Sequence, residues 1–304
     1  MRILITGANG FIGSNLARYL VSLKKYKVFA LVREKSNLNT LVPLQGKIVI
    51  VKIAPTLNSI NRALCISEPD VVVHLAALTC AEHRPEKIDS LIDANILFPT
   101  MLLEAMLKNR VRFLVNTGSF WEHAETKYKY SPFNLYAATK SAFEIFLKYY
   151  TDKKGIRCLT LKLYGTYGAN DQRPKIFSLF KKSIVSKTPI LFSPGEQKLD
   201  LIYIDDVVCA YEKAIRYVYK RQNSSFESFF IGSGRGIRLR NIAKLYAKCA
   251  DSALKIKWGG LPYRDKEIMD TRADIKLAKI KLNWRPKYDL KSGITKMLKV
   301  EGKL

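Results

Sequence analysis

Residues 2–13 constrain the fold more than any other stretch of the chain. Arg2 to Thr6 is a short aliphatic and β-branched run, which stops at Gly7-Ala8-Asn9-Gly10-Phe11-Ile12-Gly13, and Asn15 to Leu23 then reads as a helix. The order is strand, glycine loop, helix. Gly7 permits the tight turn, Gly10 lets backbone N–H groups approach a pyrophosphate, and Gly13 lets the helix pack close to the strand. Glycine spacing alone is a weak signal. Set directly after a strand and opening a helix, it predicts a dinucleotide site built from Gly7, Asn9, Gly10, Phe11, Ile12 and Gly13.

The next strand, Lys27 to Val32, ends in Arg33. An acidic residue at that tip would hydrogen-bond an unmodified ribose, whereas an arginine holds a 2′-phosphate, so Arg33 points to NADPH. The other reading of Arg33 is a surface arginine of a basic protein, which leaves NADH possible. Lys47 to Ile53 reads as a third strand and Asp70 to Leu75 as a fourth, ending in Ala76-Ala77, where small residues leave room for the cofactor backbone. Leu75, Ala76, Ala77 and Asn95, the last on a long helix from Ile88 to Lys108, complete the expected cofactor-binding set. His74, inside an apolar strand, reads as a buried histidine. Val111 to Val115 forms a fifth strand that delivers Asn116 to Trp121 to its carboxyl end, where ligands sit in open α/β sheets. A helix around Tyr136 and a sixth strand, Arg157 to Leu163, follow. The alternation predicts an α/β fold with a Rossmann-type, doubly wound, mostly parallel sheet.

Beyond Tyr164, Gly165, Gly168, Pro174, Pro189, Pro194 and Gly195 break the chain into shorter pieces. These are a helix from Ile176 to Ser186, a strand from Leu199 to Ile204, a helix from Asp206 to Tyr219, a strand from Phe229 to Gly232 and a helix from Leu239 to Cys249. The organisation expected is a dinucleotide-binding Rossmann domain over residues 1–165, to which later segments return, and a smaller substrate-binding lobe over 166–304. Gly234 to Gly236 reads as a helix-entry turn, not a second phosphate loop.

Composition narrows the function classes. The five cysteines are scattered and never spaced as CxxC, and the three histidines form no ligand pattern, so no metal site and no disulfide framework is expected. No uninterrupted apolar run approaches the roughly 18 residues of a membrane span, and the N-terminal run is too short for a signal-peptide core. The expectation is a cytoplasmic protein with no membrane partner. The formal net charge of +26 is unusual, but the lysines come singly or in pairs (Lys24-Lys25, Lys153-Lys154, Lys181-Lys182) over every predicted helix. Without a recognition motif, no nucleic-acid partner is expected.

Tyr136 and Lys140 supply the chemistry. Helical spacing puts them four apart on one face. A fixed cation beside a phenol favours the phenolate, so the pair can pass a proton to or from an alcohol or ketone.

Together, Thr6-Gly7-x-x-Gly10-x-x-Gly13, the hydroxyl residue Thr117 at the end of the fifth strand and Tyr136-x-x-x-Lys140 resemble the extended short-chain dehydrogenase/reductases that act on nucleotide sugars. Asp205-Asp206-Val207, Ala273-Asp274-Ile275 and Asn283-Trp284-x-Pro286 extend the likeness over nearly the whole chain. Gly195-Glu196-Gln197, Tyr203 to Asp206 and Arg264-Asp265-x-Glu267-Ile268-Met269 make it most similar to the abequose and paratose synthase type, which reduces the 4-keto group of a CDP-linked dideoxy sugar.

The resemblance implies an NADPH-dependent 4-ketoreductase of a nucleotide-linked, CDP-linked keto-deoxyhexose for surface polysaccharide, working as a homodimer through the helices around Ile88 and Tyr136. A nucleotide-sugar 4-epimerase with tightly held NAD is the first alternative, and a nucleic-acid-binding protein on a dehydrogenase scaffold, suggested only by the charge, is the second. Tyr136 would protonate the C4 oxygen, Lys140 would lower the tyrosine pKa and hold the nicotinamide ribose, and Thr117 would bind the same oxygen. Thr79, Ser119, Trp121, Lys175, Lys198 and Arg264 are the implied substrate contacts, with Arg264 suited to the diphosphate. Trp121 reads equally well as a buried aromatic. Sugar 4,6-dehydratases carry an acidic pair after the catalytic threonine; Gly118 and Ser119 stand there, which argues against dehydration. Leu199 replaces the arginine of many relatives, and Trp121-Glu122-His123 replaces the usual Tyr-Gly.

Overall fold

The computed structural model describes residues 1–124, 130–222 and 226–302. In chain order the elements are β1 (Arg2–Thr6), α1 (Phe11–Ser22), β2 (Lys27–Arg33), β3 (Val49–Ile53), α2 (Leu57–Ser67), β4 (Val71–His74), α3 (Ile88–Ile92), α4 (Phe98–Lys108), β5 (Phe113–Ser119), α5 (Leu135–Lys154) and β6 (Arg157–Leu163). Then come β7 (Gly165–Tyr167), α6 (Ile176–Val185), β8 (Ile190–Phe192), β9 (Lys198–Leu199), β10 (Leu201–Tyr203), α7 (Ile204–Tyr219), β11 (Phe226–Ile231), β12 (Ile237–Arg238), α8 (Leu239–Cys249), β13 (Ile256–Trp258), α9 (Lys276–Lys281) and α10 (Leu290–Val300).

The chain forms two compact units. One comprises Met1–Leu163, Val208–Phe230 and Leu277–Trp284; the other comprises Tyr164–Val207, Ile231–Lys276 and Arg285–Leu304. The first unit is built on a seven-stranded sheet of order β11-β6-β5-β4-β1-β2-β3. Every pair from β6 to β3 is parallel. The order reverses between β1 and β4, which is where a doubly wound sheet opens a crevice at its carboxyl edge. Ile3, Leu4, Ile5 and Val71 to Val73 are fully buried. Such continuous apolar runs mark strands covered on both faces.

Helix ends follow local chemistry. Thr56 caps α2 by accepting from Ser59 N–H, and Asn134 caps α5 by accepting from Ala137 N–H at 2.9 Å. Gly155, at φ 72°, ends α5 after Lys153 and Lys154, whose charges suit a helix C-terminus.

Two elements differ from the sequence expectation. The helix expected from Ile88 to Lys108 is interrupted by a π-helical stretch, Asp93–Leu97, that carries Asn95 inward. With its interspersed polar residues, the run Pro85–Lys108 is long and apolar enough to cross a membrane, although no uninterrupted apolar run is. Here Leu91, Leu102, Leu103, Ala105 and Met106 are buried within the protein, as in a core helix. The strand expected from Leu199 to Ile204 is broken at Asp200. That buried carboxylate accepts from the backbone N–H groups of Ser233, Gly234 and Ala273 and from the Ser233 hydroxyl, at 2.6 to 3.0 Å. Asp200 thus ties two loops of the second unit, at 233–234 and at 273, to its own segment. In the same unit, Tyr167, Phe177, Phe180, Phe192 and Tyr246 pack into an aromatic core.

Candidate active site

The glycine loop has the shape that a dinucleotide requires. Gly7 sits at φ 66°, and a Cβ there would come within 2.7 Å of Ala76 N. A Cβ on Gly13 would stand 2.3 Å from the Gly7 carbonyl, so only glycine allows α1 this close to the turn. Gly10 caps α1, and the helix opens toward the carboxyl edge of the sheet with no acidic residue in its first turn. First-turn N–H groups and the helix dipole together attract an anion. The residues present therefore fit a nicotinamide dinucleotide.

The surrounding residues divide into contacts and supports. Arg33 ends β2 with an exposed side chain. Asn9 ties the loop beyond it in place: its Nδ2 donates to Asn37 O at 3.1 Å, and Thr40 Oγ1 donates to Asn9 O at 2.8 Å. Thr6 Oγ1 accepts from Leu75 and Ala76 N–H and bonds His74 Nδ1 at 2.8 Å. His74 is buried, and burial, with Lys140 nearby, lowers its pKa to about 3, so the ring is neutral. Asn95 has both amide ends engaged inside the protein. Its Oδ1 accepts from Leu78 N–H, and its Nδ2 donates to Leu78 O and Thr139 Oγ1. It fastens the loop after β4 to α5, which places it behind the site. Ala77 is exposed at the start of that loop.

Tyr136 lies in the first turn of α5, 8% exposed, with Lys140 buried one turn later. Asn134 Nδ2 donates to the carbonyls of Cys80 and Ala81, so the helix cap also fixes the loop that carries Thr79. The side chains of Thr79 and Ser119 lie near enough to the Tyr136 hydroxyl to favour its ionised form. Trp121 meets the Tyr136 ring edge-on at 6.2 Å and packs on Phe133.

The sequence reading expects Lys140 to lower the tyrosine pKa. In the structure the net direction is upward, because burial, followed by the Glu122 carboxylate, raises the Tyr136 pKa well above its ordinary value, while the Thr79 and Ser119 side chains act to lower it. Lys140 is itself desolvated, which lowers its own pKa, while Glu122 and Glu144 favour its charged form. Thr117, partly exposed at the end of β5, bonds Tyr211 of α7 through its Oγ1 at 2.7 Å.

Behind this pair lies a buried ionic cluster that no short motif announces. Lys162 Nζ of β6 donates to Glu144 Oε2 at 2.8 Å, Glu122 Oε2 at 3.2 Å and His123 Nε2 at 2.7 Å. An ammonium has three donors and no acceptor, so His123 accepts through an unprotonated Nε2. The Tyr130 hydroxyl donates to Glu144, and the Lys162 ammonium lies 4.9 Å from the Tyr130 ring centre. Glu122 also accepts from Ser119 N–H through Oε1 at 2.5 Å, closing a capping box on the turn Phe120–Glu122. A Cβ on Gly118 would reach 2.7 Å from Glu122 Oε1 and 2.9 Å from Thr160 Cγ2. Any side chain at 118 is therefore excluded, an acidic one most strongly.

The other expected substrate contacts belong to the second unit. Lys175 precedes α6 and Arg264 lies in the loop after β13, both exposed, and Lys198 in β9 pairs with Asp270 at 3.4 Å. Among the described residues no group of His, Cys, Asp and Glu could hold a metal ion.

Comparison with known proteins agrees with this geometry. Residues 3–232 match the family described as "NAD dependent epimerase/dehydratase family". CDP-abequose synthase from Salmonella muenchen is 30% identical over 304 residues, covering 99% of this chain and 98% of its own. CDP-abequose synthase from Yersinia pseudotuberculosis is 32% identical, covering 88% of this chain and 91% of its own. Among solved structures, UDP-glucose 4-epimerase from Thermotoga maritima, with UDP-glucose, shares the fold at a TM-score of 0.87 and 22% identity, covering 100% and 99% of the two chains. The NAD complex of UDP-glucose 4-epimerase from Thermus thermophilus does so at 0.84 and 23%, covering 98% of each.

Proposed function

The chain belongs to the NAD-dependent epimerase/dehydratase family of nicotinamide-dependent enzymes, and from that premise we propose that it reduces the 4-keto group of a CDP-linked 4-keto-deoxyhexose with NADPH, in surface polysaccharide synthesis. The observation that carries the reading is the placement of Tyr136, buried in the first turn of α5 with Lys140 buried one turn later. A reductase needs a proton donor at the ketone oxygen, and burial favours the protonated phenol. Similarity to two CDP-abequose synthases supports reduction over epimerisation and the CDP-linked substrate.

When bound, the nicotinamide supplies a hydride to C4, and the protein supplies the rest. The Tyr136 O–H bond breaks and its proton goes to the C4 oxygen, while the Lys140 ammonium, one turn away, stabilises the phenolate left behind. Thr117 donates to the same oxygen. If Tyr211 gives its proton to Thr117 Oγ1, the Thr117 hydroxyl keeps its own for the substrate. Arg33 is the proposed contact for the 2′-phosphate that separates NADPH from NADH. The second unit is the proposed nucleotide-sugar lobe, with Lys175, Lys198 and Arg264 taking the diphosphate.

We further propose a homodimer. Ile88, Ile92 and Leu97 before α4, and Ile145, Phe146 and Tyr149 on α5, are large apolar side chains left exposed on helical segments of the first unit. A second copy of the same face would cover them.

NADPH oxidation with CDP-4-keto-3,6-dideoxyglucose generated in place tests the reading. Sugar-dependent oxidation that vanishes in Tyr136→Phe, with NADPH binding retained, is the expected result. A protein that carries NAD(H) through purification, consumes no NADPH and interconverts C4 alcohols would replace the reductase with the 4-epimerase.

A further inference from the structure

We propose that Tyr211 is a positioning residue for the reduction: its buried phenol donates to Thr117 Oγ1 and so turns the Thr117 hydroxyl proton away from α7, toward the open side where the keto oxygen binds. The inference deepens the reductase reading and rests on it for its catalytic consequence.

Side chains alternate across a strand, so Asn116 and Thr117 of β5 point to opposite faces of the sheet. Asn116 Nδ2 donates to Thr160 Oγ1 of β6 at 3.1 Å. Thr117 meets α7 instead, where its Oγ1 lies 2.7 Å from the Tyr211 hydroxyl. The helix is anchored at that level. Ala210, Ala214, Ile215 and Val218 are fully buried, and Glu212, the next residue after Tyr211, accepts from the Tyr26 hydroxyl at 2.8 Å and from Lys25 Nζ at 3.0 Å. Tyr26 and Lys25 belong to the connection between α1 and β2. A shift of Tyr211 along β5 would have to break those contacts.

Either hydroxyl of the pair can donate, and burial decides which one does. Tyr211 is fully buried, and among the described residues Thr117 is the one hydrogen-bond partner of its hydroxyl. Were Thr117 the donor, the Tyr211 proton would be left inside the protein without an acceptor, at the cost of its desolvation. Thr117 is partly exposed, so its own proton has an outlet to solvent or substrate when Tyr211 donates. A phenol is also the stronger donor of the two and an aliphatic hydroxyl the better acceptor. Burial pushes the Tyr211 pKa up, so the phenol keeps its proton during turnover.

The Thr117 hydroxyl has one proton to give, and with Tyr211 donating none of it is spent on α7. The bond it receives also polarises the oxygen and strengthens the bond it makes onward to the substrate. Tyr211 thereby serves the ketone without touching it, from a position outside the glycine loop, the Tyr136–Lys140 pair and Asp205-Asp206-Val207.

Neutron diffraction from deuterated crystals of the wild-type chain tests the direction without any substrate. The expected map has the Tyr211 deuteron on the line to Thr117 Oγ1 and the Thr117 deuteron pointing away from Tyr211. A Thr117 deuteron directed at the Tyr211 oxygen overturns the proposal, whether or not the protein reduces a keto sugar.

Kinetics tests the consequence. Tyr211→Phe keeps the ring and removes the hydroxyl; kcat with the keto sugar is expected to fall about fivefold or more with KM for NADPH unchanged, as for loss of about one hydrogen bond in the transition state. A Thr117→Val background separates positioning from packing. There Tyr211→Phe is expected to change kcat by less than about twofold, because its route to the substrate is already gone. Wild-type kcat in Tyr211→Phe, or the same loss in both backgrounds, overturns the proposal. Absence of NADPH oxidation by the wild-type chain refutes the reductase reading alone and leaves the neutron map to decide this one.

Discussion

Replacing Lys162 with methionine tests the energetics of the buried cluster directly. The substitution keeps much of the side-chain volume and removes the ammonium that holds Glu122 Oε2 at 3.2 Å and Glu144 Oε2 at 2.8 Å. Two nearly fully buried carboxylates then face each other without a counter-charge between them. The cheapest escape is for one to take a proton and donate it to the other.

Even with Lys162 in place, burial and Glu144 push the Glu122 carboxyl up to about 7, and without the ammonium it rises further. Breaking a buried ion pair by removing one partner typically costs roughly 3–5 kcal/mol. For a chain of 304 residues, an unfolding entropy of about 2.1 cal/mol/K per residue gives about 0.64 kcal/mol/K, hence a Tm drop of roughly 6 °C.

The pH dependence has a definite sign. In the variant, the folded-state carboxyl pKa is raised above the wild-type value of about 7, so the pH-dependent part of the deficit is absent well below pH 7 and grows as pH rises through and beyond it. Urea unfolding of both proteins at several pH values measures it. A loss under about 1 kcal/mol at neutral pH, or one that does not grow above about pH 7, would refute the claim that Lys162 offsets the charge of the buried acids.

Three further outcomes follow from the same geometry. Gly118→Asp should cost several kcal/mol by urea unfolding and yield no dehydratase activity, because its Cβ would press on Glu122 Oε1 and add a third acid to the cluster. Arg33→Ala should weaken NADPH binding about tenfold or more while leaving NADH nearly unaffected, as read by nicotinamide fluorescence; equal loss for both would remove the 2′-phosphate assignment. The double variant Ile145→Glu, Phe146→Lys should sediment as a monomer if α5 carries the dimer face, whereas an unchanged oligomeric state would place the interface elsewhere.

The parts of the site legible in the sequence are those whose physics is local. Glycine is required at 7 and 13 because neighbouring backbone atoms leave no space, and those neighbours lie within a short loop and one adjoining strand end. Tyr136 and Lys140 share a face because any helix places residues four apart together. Long-range partners leave no such trace. Glu122 and Lys162 are 40 residues apart, and Thr117 and Tyr211 are 94 apart.

The departure of Trp121-Glu122-His123 from the usual Tyr-Gly was the one available signal, and it gave no hint that an acid would be buried against β6. The direction of the Tyr136 pKa was illegible for a related reason. A spacing shows a nearby cation but not the desolvation that outweighs it. Asp200 breaks an otherwise plausible strand because its partners come from loops more than 30 residues downstream.

The first unit is discontinuous along the chain, and that affects how the enzyme can be made. Its sheet is completed by β11, and the hydroxyl on Thr117 comes from residue 211, long after the glycine loop, the threonine and the tyrosine–lysine pair have been synthesised. A fragment ending near residue 165 would contain the glycine loop, Thr117 and the Tyr136–Lys140 pair, yet β6 would be an open edge and Thr117 would lack its partner. On the ribosome, the nascent chain passes through that state before the remaining segments emerge, with the β6 edge available to any other unpaired strand.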